Sequence, residues 1–279
     1  MTTSEISTTS AARARHISRS VLFFLCSFAF LSAVGLSSSA LQDEPLVSQF
    51  APADDLLTMV NKYIEEAGAI VESAEEFGKS DRRTHLGELA ESVQVLALAL
   101  CRHDKLPEGT NASSFVIAYR AAGELYAAAD QPTAVKALEE VKRGLAGGVE
   151  QSQELPKWGK TDQMYDLMTQ VQNSQGAINR GMRRLARRPA PIQENAAFLA
   201  AVGHETLFAV PQDLPQELQQ PWREYSIAMR DSAAALNAAA RAKDEAAAKA
   251  AVEALTKSCD DCHAQIRDRA PLIRVGQTR

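Results

Sequence analysis

The residues with the clearest chemical meaning lie near the C-terminus, in the segment Cys259-Asp260-Asp261-Cys262-His263. This Cys-x-x-Cys-His pattern is typical of the covalent attachment of a c-type haem. Two cysteines one helical turn apart can form thioethers with the two vinyl groups of one porphyrin, and the adjacent histidine then ligates the iron. A redox dithiol and half of a zinc site are the other interpretations of such a pair. No second cysteine pair completes a zinc site, and no thioredoxin-like strand pattern surrounds this one, so we expect haem.

The N-terminal residues 1–40 have the composition of an export signal. Three arginines precede an apolar run from Val21 to Leu36, and Ser38-Ser39-Ala40 offers small residues for cleavage. The run is short for a membrane span, which needs about 20 apolar residues; an uncleaved anchor is the alternative. We therefore expect a periplasmic or otherwise exported protein. Export agrees with the haem motif, because c-type haem is attached outside the cytoplasm.

The charge of the chain narrows the classes of partner. Cleavage after residue 40 removes three arginines and one glutamate, which changes the formal net charge from −5 to −7. Because there is no basic stripe with interleaved aromatic residues, we expect no nucleic-acid binding. No paired-carboxylate motif, nucleophile elbow or phosphate loop is found, so we do not expect an enzyme. After cleavage of the signal we expect no membrane association.

The remainder of the chain has the pattern of an all-α protein. Alanine is abundant, apolar residues recur every three or four positions, and no alternating strand signal is found. Residues 41–53 are interpreted as a leader or tether, and residues 54–146 as an antiparallel four-helix bundle. Glycines and a proline in residues 147–160 indicate a linker. Residues 161–279 are predicted to form a second four-helix bundle, in tandem with the first.

The two predicted bundles share the spacing of their apolar residues. A shift of 108 positions aligns the apolar stripe of the first helix with that of the fifth. The first-helix positions Leu56, Val60, Tyr63, Ala67, Ile70, Ala74 and Phe77 correspond to Met164, Met168, Val171, Gln175, Ile178, Met182 and Leu185. This correspondence indicates an internal duplication; the alternative is that any two alanine-rich bundles align this well. The chemistry is not duplicated, because Gly144-Leu145 stands in the first copy where Ser258-Cys259 stands in the second. We therefore expect one haem per chain.

The second bundle resembles the cytochrome c′ family and its low-spin relatives. The resemblance extends over about Thr161 to Arg269. It rests on the Cys-x-x-Cys-His segment, on the basic Arg267 four residues after the histidine, and on Pro221-Trp222 beside the third helix. One departure is Ile266, which stands where the family usually has tyrosine or phenylalanine. Another is the lack of an arginine near the start of the first helix, where the family often has one for a haem propionate.

The resemblance implies the roles of the proximal residues. Cys259 and Cys262 would hold one covalent haem c, and His263 would be the proximal iron ligand. Arg267 would pair with a propionate or lie beside the proximal imidazole; a solvated surface arginine is the alternative.

The first helix of this bundle would cover the sixth position of the iron. On that helix Met164, Met168 and Val171 share one face, at spacings of four and three residues. We expect Met168 to approach the iron and ligate it. A shift of one turn favours Met164, whereas Val171 over the iron would leave an open site. Methionines that merely fill the core are the remaining interpretation. Gln175, polar on the same stripe, would bond a buried backbone group or approach the haem.

The preferred function is electron transfer with a redox partner protein. The alternative is a five-coordinate haem protein that binds a small gas, nitric oxide or carbon monoxide. A third interpretation is a structural role in which the haemless bundle binds a partner. Family members commonly form dimers, so we expect either a homodimer or a monomeric pseudo-dimer in which the first bundle replaces the second subunit.

Several residues outside the motif are expected to be structural. Cys101, the other cysteine that remains after cleavage, is expected to be buried; an intermolecular disulfide is the alternative. His85, His103 and His204 lack metal-ligand spacing. Trp158 is expected either to pack between the two halves or to mark the start of the second.

Overall fold

A computed structural model describes residues 44–147, 154–160 and 163–267, and of Arg267 only the backbone. These residues belong to one compact unit. In the described part of the chain there are nine α-helices and no β-strand, which confirms the all-α prediction. None of the described helices has both the length and the apolar character needed to cross a membrane. The predicted export signal lies outside the described residues.

Eight long helices form two tandem antiparallel bundles of four, as predicted. In each bundle, helices that follow one another along the chain pack side by side. The first bundle consists of α1 (Ala53–Val71), α3 (Ser80–Cys101), α4 (Ala112–Ala127) and α5 (Gln131–Leu145), with the short α2 (Ala74–Gly78) between α1 and α3. The second consists of α6 (Met164–Met182), α7 (Ala190–Phe208), α8 (Gln216–Ala242) and α9 (Glu245–Cys262), followed by a π-helical turn, His263–Arg267.

The start of the first bundle differs from its predicted form. The sequence predicts one helix over residues 54–77, but the first helix ends at Val71. Ser73 accepts a hydrogen bond from the Glu76 backbone N–H through its side chain, at 3.2 Å, and so starts a separate helix. The sequence predicts an aspartate as the N-cap of three helices: Asp54 or Asp55 for α1, Asp130 for α5 and Asp244 for α9. The first of these predictions is wrong, because Pro52 is the N-cap of α1 and the buried Asp55 binds side chains of the second bundle instead.

Two later helix starts follow the prediction. The Asp130 carboxylate accepts from the Thr133 N–H at 2.8 Å at the start of α5. The Asp244 carboxylate accepts from the Ala247 N–H at 2.9 Å at the start of α9. Each caps an otherwise unsatisfied donor of the first helical turn. The helix that carries the haem motif therefore begins at a defined residue.

The two bundles pack through their first two long helices. Helix α1 contacts α7, and helix α3 contacts α6. Because α1 is equivalent to α6 and α3 is equivalent to α7, each of these two contacts is the counterpart of the other. Charged and polar pairs cross this interface: Lys62 with Glu194, and the Gln170 amide with Glu88 at 3.1 Å. The interface therefore has the approximate two-fold character of an isologous contact.

Residues 44–52, which include a 3-10 turn at Val47–Gln49, and residues 154–160 both pack on α7. The Phe50 ring stacks on the buried His204 ring with centroids 4.7 Å apart, and Trp158 approaches the same imidazole edge-on at 4.6 Å. From the end of α3, Arg102 donates to the Pro156 carbonyl at 2.8 Å. Trp158 therefore packs between the two bundles, the first of its two predicted positions.

Candidate haem site

Helix α9 carries both cysteines of the Cys-x-x-Cys-His segment on its last turns. Cys259 and Cys262 are free thiols and half-buried, whereas His263 is exposed at the start of the π-helical turn. Burial raises the pKa of the Cys259 thiol, and it raises the pKa of Cys262 to about 11. Both groups are therefore protonated thiols at neutral pH, held one helical turn apart and not joined to each other.

Helix α6 lies opposite this segment. The Gln175 amide on α6 donates to the Cys259 Sγ atom at 3.0 Å. Apart from this contact, the backbones of α6 and α9 approach each other much less than those of α7 and α8 or of α8 and α9. Loose pairing of two helices beside two half-buried thiols fits the insertion of a planar porphyrin, which needs a wide slot and two sulfur atoms at one edge. The residues present thus fit a c-type haem.

Cys262 also contacts a small apolar cluster at the end of the second bundle, separate from the main core. The buried members of this end cluster are Leu214, Leu218, Trp222 and Ile266, and Met164, Val210 and Tyr225 pack against them. The Trp222 indole N–H donates to the Thr206 carbonyl at 2.7 Å, which fixes the ring. Ile266, which is 1% exposed, is therefore a buried aliphatic residue at the position where the family usually has an aromatic one.

The buried face of α6 is rotated from the predicted stripe. Its buried residues are Leu167, Gln170, Val171, Ser174 and Ile178, whereas Met164, Met168 and Gln175 are half-buried. The first bundle causes this rotation, because it covers a second side of α6: Gln170 donates to Glu88, and Ser174 shares a hydrogen bond with Tyr63. The two methionines remain on the side where Gln175 reaches α9.

The structure groups the predicted site residues only in part. Gln175 contacts Cys259, and Met164 and Cys262 both pack against the end cluster. Met168 and Val171 pack against the main core. The side chain of Arg267 lies outside the described part of the structure.

Tyr225 was missed by the sequence analysis. It lies on α8, packs on the end cluster and stands close enough to Asp261 and Cys262 for them to raise its pKa, although burial is the largest cause of the rise. Its position three residues after Trp222, on the same helical face, is the signal that could have identified it.

Comparison with known proteins points to the same part of the chain. Residues 217–267 match the family model of cytochrome c′. The matched segment contains α8, α9 and the π-helical turn, with the whole Cys-x-x-Cys-His segment. No curated protein and no solved structure gave a significant match. The resemblance seen in the sequence is thereby confirmed for the C-terminal region, whose residues 217–267 are similar to cytochrome c′.

Proposed function

We propose that this chain is an exported c-type cytochrome that carries one covalent haem and transfers electrons to or from a redox partner protein. The observation that carries the proposal is the pair of half-buried free thiols on α9, within the family match and opposite the loosely packed α6. Cys259 and Cys262 would hold the porphyrin through thioethers, and His263 would ligate the iron. When bound, the haem supplies reversible one-electron chemistry. The chain contributes attachment, axial ligation and an apolar surrounding.

Electron transfer is favoured by the methionines of α6. A thioether opposite histidine keeps the iron six-coordinate and raises its reduction potential. Met164 packs on the end cluster that also contacts Cys262, and Met168 follows one turn later on the same side of the helix. The equivalent positions of the haemless bundle hold Leu56 and Val60, which cannot ligate a metal. Met168 is the proposed sixth ligand and Met164 the alternative.

The register of α6 and α9 favours a second candidate function, the binding of a small gas. The two helices run antiparallel, and Gln175 lies opposite Cys259. Four residues further along α9 is His263, and four residues back along α6 is Val171. Val171 is 5% exposed and has no ligand atom, so an iron facing it would be five-coordinate and open. The two candidates differ by less than one helical turn, about 5 Å.

Optical spectra of the purified protein separate the two candidates. A six-coordinate iron gives a low-spin spectrum in the reduced protein, and addition of carbon monoxide leaves it unchanged. A change on addition of the gas contradicts six-coordination and supports the second candidate. The pyridine haemochrome assay after acidic acetone extraction tests the common premise, because only covalent haem stays with the polypeptide. Complete extraction of the haem would overturn both candidates.

The first bundle is proposed to take the place of a second subunit. This proposal is supported by the two equivalent contacts between the bundles, α1 with α7 and α6 with α3. Lys62 pairs with Glu194 in the first contact, and Gln170 pairs with Glu88 in the second. A surface already used within one chain is not available for a homodimer, so we expect a monomer. Sedimentation of the full chain as a tight dimer contradicts this expectation.

A further inference from the structure

Gln175 has no part in attaching the haem, yet it is in contact with a cysteine of the motif. Its amide nitrogen lies 3.0 Å from the Cys259 Sγ atom, across the gap between α6 and α9. In the haemless bundle the equivalent position is Ala67, which is only 1% exposed. A long polar side chain therefore occurs at this position in the copy with the cysteines, and a small apolar one in the copy without them.

The other polar residues on the inner side of α6 are engaged by the first bundle. The Gln170 amide donates to Glu88, and Ser174 shares a hydrogen bond with Tyr63. Gln175 points to the other side of the helix, towards α9. A thiol or thioether sulfur is a weak acceptor. The amide of Gln175 thus remains a strong donor for a better acceptor that comes within its reach.

We propose that Gln175 is a ligand-binding residue, whose amide donates a hydrogen bond to an external ligand when one binds on the haem face that α6 covers. The inference rests on the proposed attachment of haem through Cys259. The sulfur atom next to the amide is the atom that joins the porphyrin, so the amide lies at the porphyrin edge. His263 belongs to the other of the two helices, so an external ligand would bind on the α6 side, wherever Met168 is absent from the iron or displaced from it. A hydrogen-bond donor there would strengthen the binding of a polar diatomic ligand, and the more so the less water reaches the site.

The test compares carbon monoxide complexes by infrared spectroscopy in a common Met168→Ala background, which removes the proposed protein ligand. In this background we compare Gln175 intact with Gln175→Leu and Gln175→Asn. Gln172→Leu is the matched control, because Gln172 is exposed on the same helix. Haem content is measured first on each variant by the pyridine haemochrome assay. Loss of covalent haem in the parent protein would count against the proposed function itself and not only against Gln175.

A donor polarises bound carbon monoxide and lowers its stretching frequency. We expect Gln175→Leu to shift the band to higher wavenumber and Gln172→Leu to leave it in place. Gln175→Asn keeps the amide but shortens its reach by one methylene, so it should also raise the frequency; a merely structural polar role would leave this variant like the parent. An unchanged band in Gln175→Leu overturns the proposal. So does failure of the Met168→Ala background to bind carbon monoxide, because the α6 side would then not be open to a ligand.

Discussion

The two bundles share a topology but differ in how the last helix meets the first. In the haemless bundle α5 packs back onto α1, and Leu56, Val60 and Ala67 of α1 are at most 1% exposed. In the second bundle α9 makes little backbone contact with α6, and the equivalent Met164, Met168 and Gln175 are half-buried. The same topology thus has its first and last helices packed together in one bundle and with little backbone contact in the other. Packing of the first helix against the last, not topology, makes a haem site possible.

A glycine of the first bundle, Gly144, brings α5 close to α4 at the position where the second bundle has its motif. A Cβ atom on Gly144 would lie 2.5 Å from the Ala118 amide nitrogen and 2.9 Å from the Ser114 carbonyl oxygen, so α5 lies directly against the backbone of α4. The second bundle has Ser258 here, whose hydroxyl donates to the Leu255 carbonyl of its own helix at 2.7 Å. Only the first bundle therefore has a glycine at this position of its last helix.

The largest expected effect is the loss of covalent haem on removal of the motif cysteines. The double variant Cys259→Ala, Cys262→Ala should fall from about one haem per chain to none, since the attachment rule needs both sulfur atoms. The pyridine haemochrome assay after acidic acetone extraction measures this. Cys101→Ala is the control: Cys101 is buried and donates to the Leu98 carbonyl, so its loss should leave the haem content unchanged. Covalent haem in the double variant would mean that the first bundle also holds a site.

The next effect concerns the equivalent positions Met168 and Val60. Met168→Ala should convert a low-spin spectrum to a high-spin one and create carbon monoxide binding, because the thioether ligand is lost. Val60→Ala removes side-chain volume at the same position of the haemless bundle and should leave the spectrum unchanged. A low-spin spectrum that survives in Met168→Ala but disappears in Met164→Ala would move the ligand by one turn.

A smaller effect is expected from Gly144, the glycine at which α5 approaches α4. Gly144→Ala should lower the free energy of unfolding by about 1–3 kcal/mol, the usual cost of an atom forced into a packed core. Gly78 is the control, because no other atom lies within 4 Å of a Cβ placed there. Gly78→Ala should change the stability by no more than about 0.5 kcal/mol. Urea unfolding measures both variants, and equal midpoints would show that α5 and α4 separate without cost.

Local signals predicted the all-α fold well, whereas the attachment of haem through the motif stays a prediction. The haem segment is contiguous, and Asp130 and Asp244 act on backbone groups three residues away, so both can be read from neighbouring residues. The rotation of α6 was not predictable, because a stripe of apolar residues does not reveal that Glu88 and Tyr63 will cover its polar side.

The prediction of an aspartate N-cap for α1 was wrong for the same reason. The partners of Asp55 are Asn237 and Arg241, more than 180 residues away. The contacts that the sequence could not predict are therefore those between the two bundles, which depend on docking and not on local pattern.

The smallest expected effect is a difference in pH dependence between two histidines, one in each bundle. In the first bundle His85 lies between Glu88 and Glu66, at 2.9 Å and 2.8 Å, and the hydrogen bond to Glu88 is the main cause of its raised pKa. In the second bundle, burial lowers the pKa of His204, and the charges of Arg230 and Arg102 act in the same direction, while Glu44 opposes them. His85 is thus stabilised in its charged form, and His204 in its neutral form.

The two histidines should therefore change stability with pH in opposite directions. The contribution of His85 is fully present below the unfolded pKa of about 6.5 and is lost as the pH rises through its folded pKa. The contribution of His204 is present above about 6.5 and is lost as the pH falls through its folded pKa. Urea midpoints measured from pH 5 to pH 8 should fall less towards acid in His204→Gln than in the parent. In His85→Gln the deficit relative to the parent should be larger at pH 5 than at pH 8. The parent and the variants share all other titrating groups. Parallel curves would therefore show that neither imidazole contributes to the pH dependence of stability.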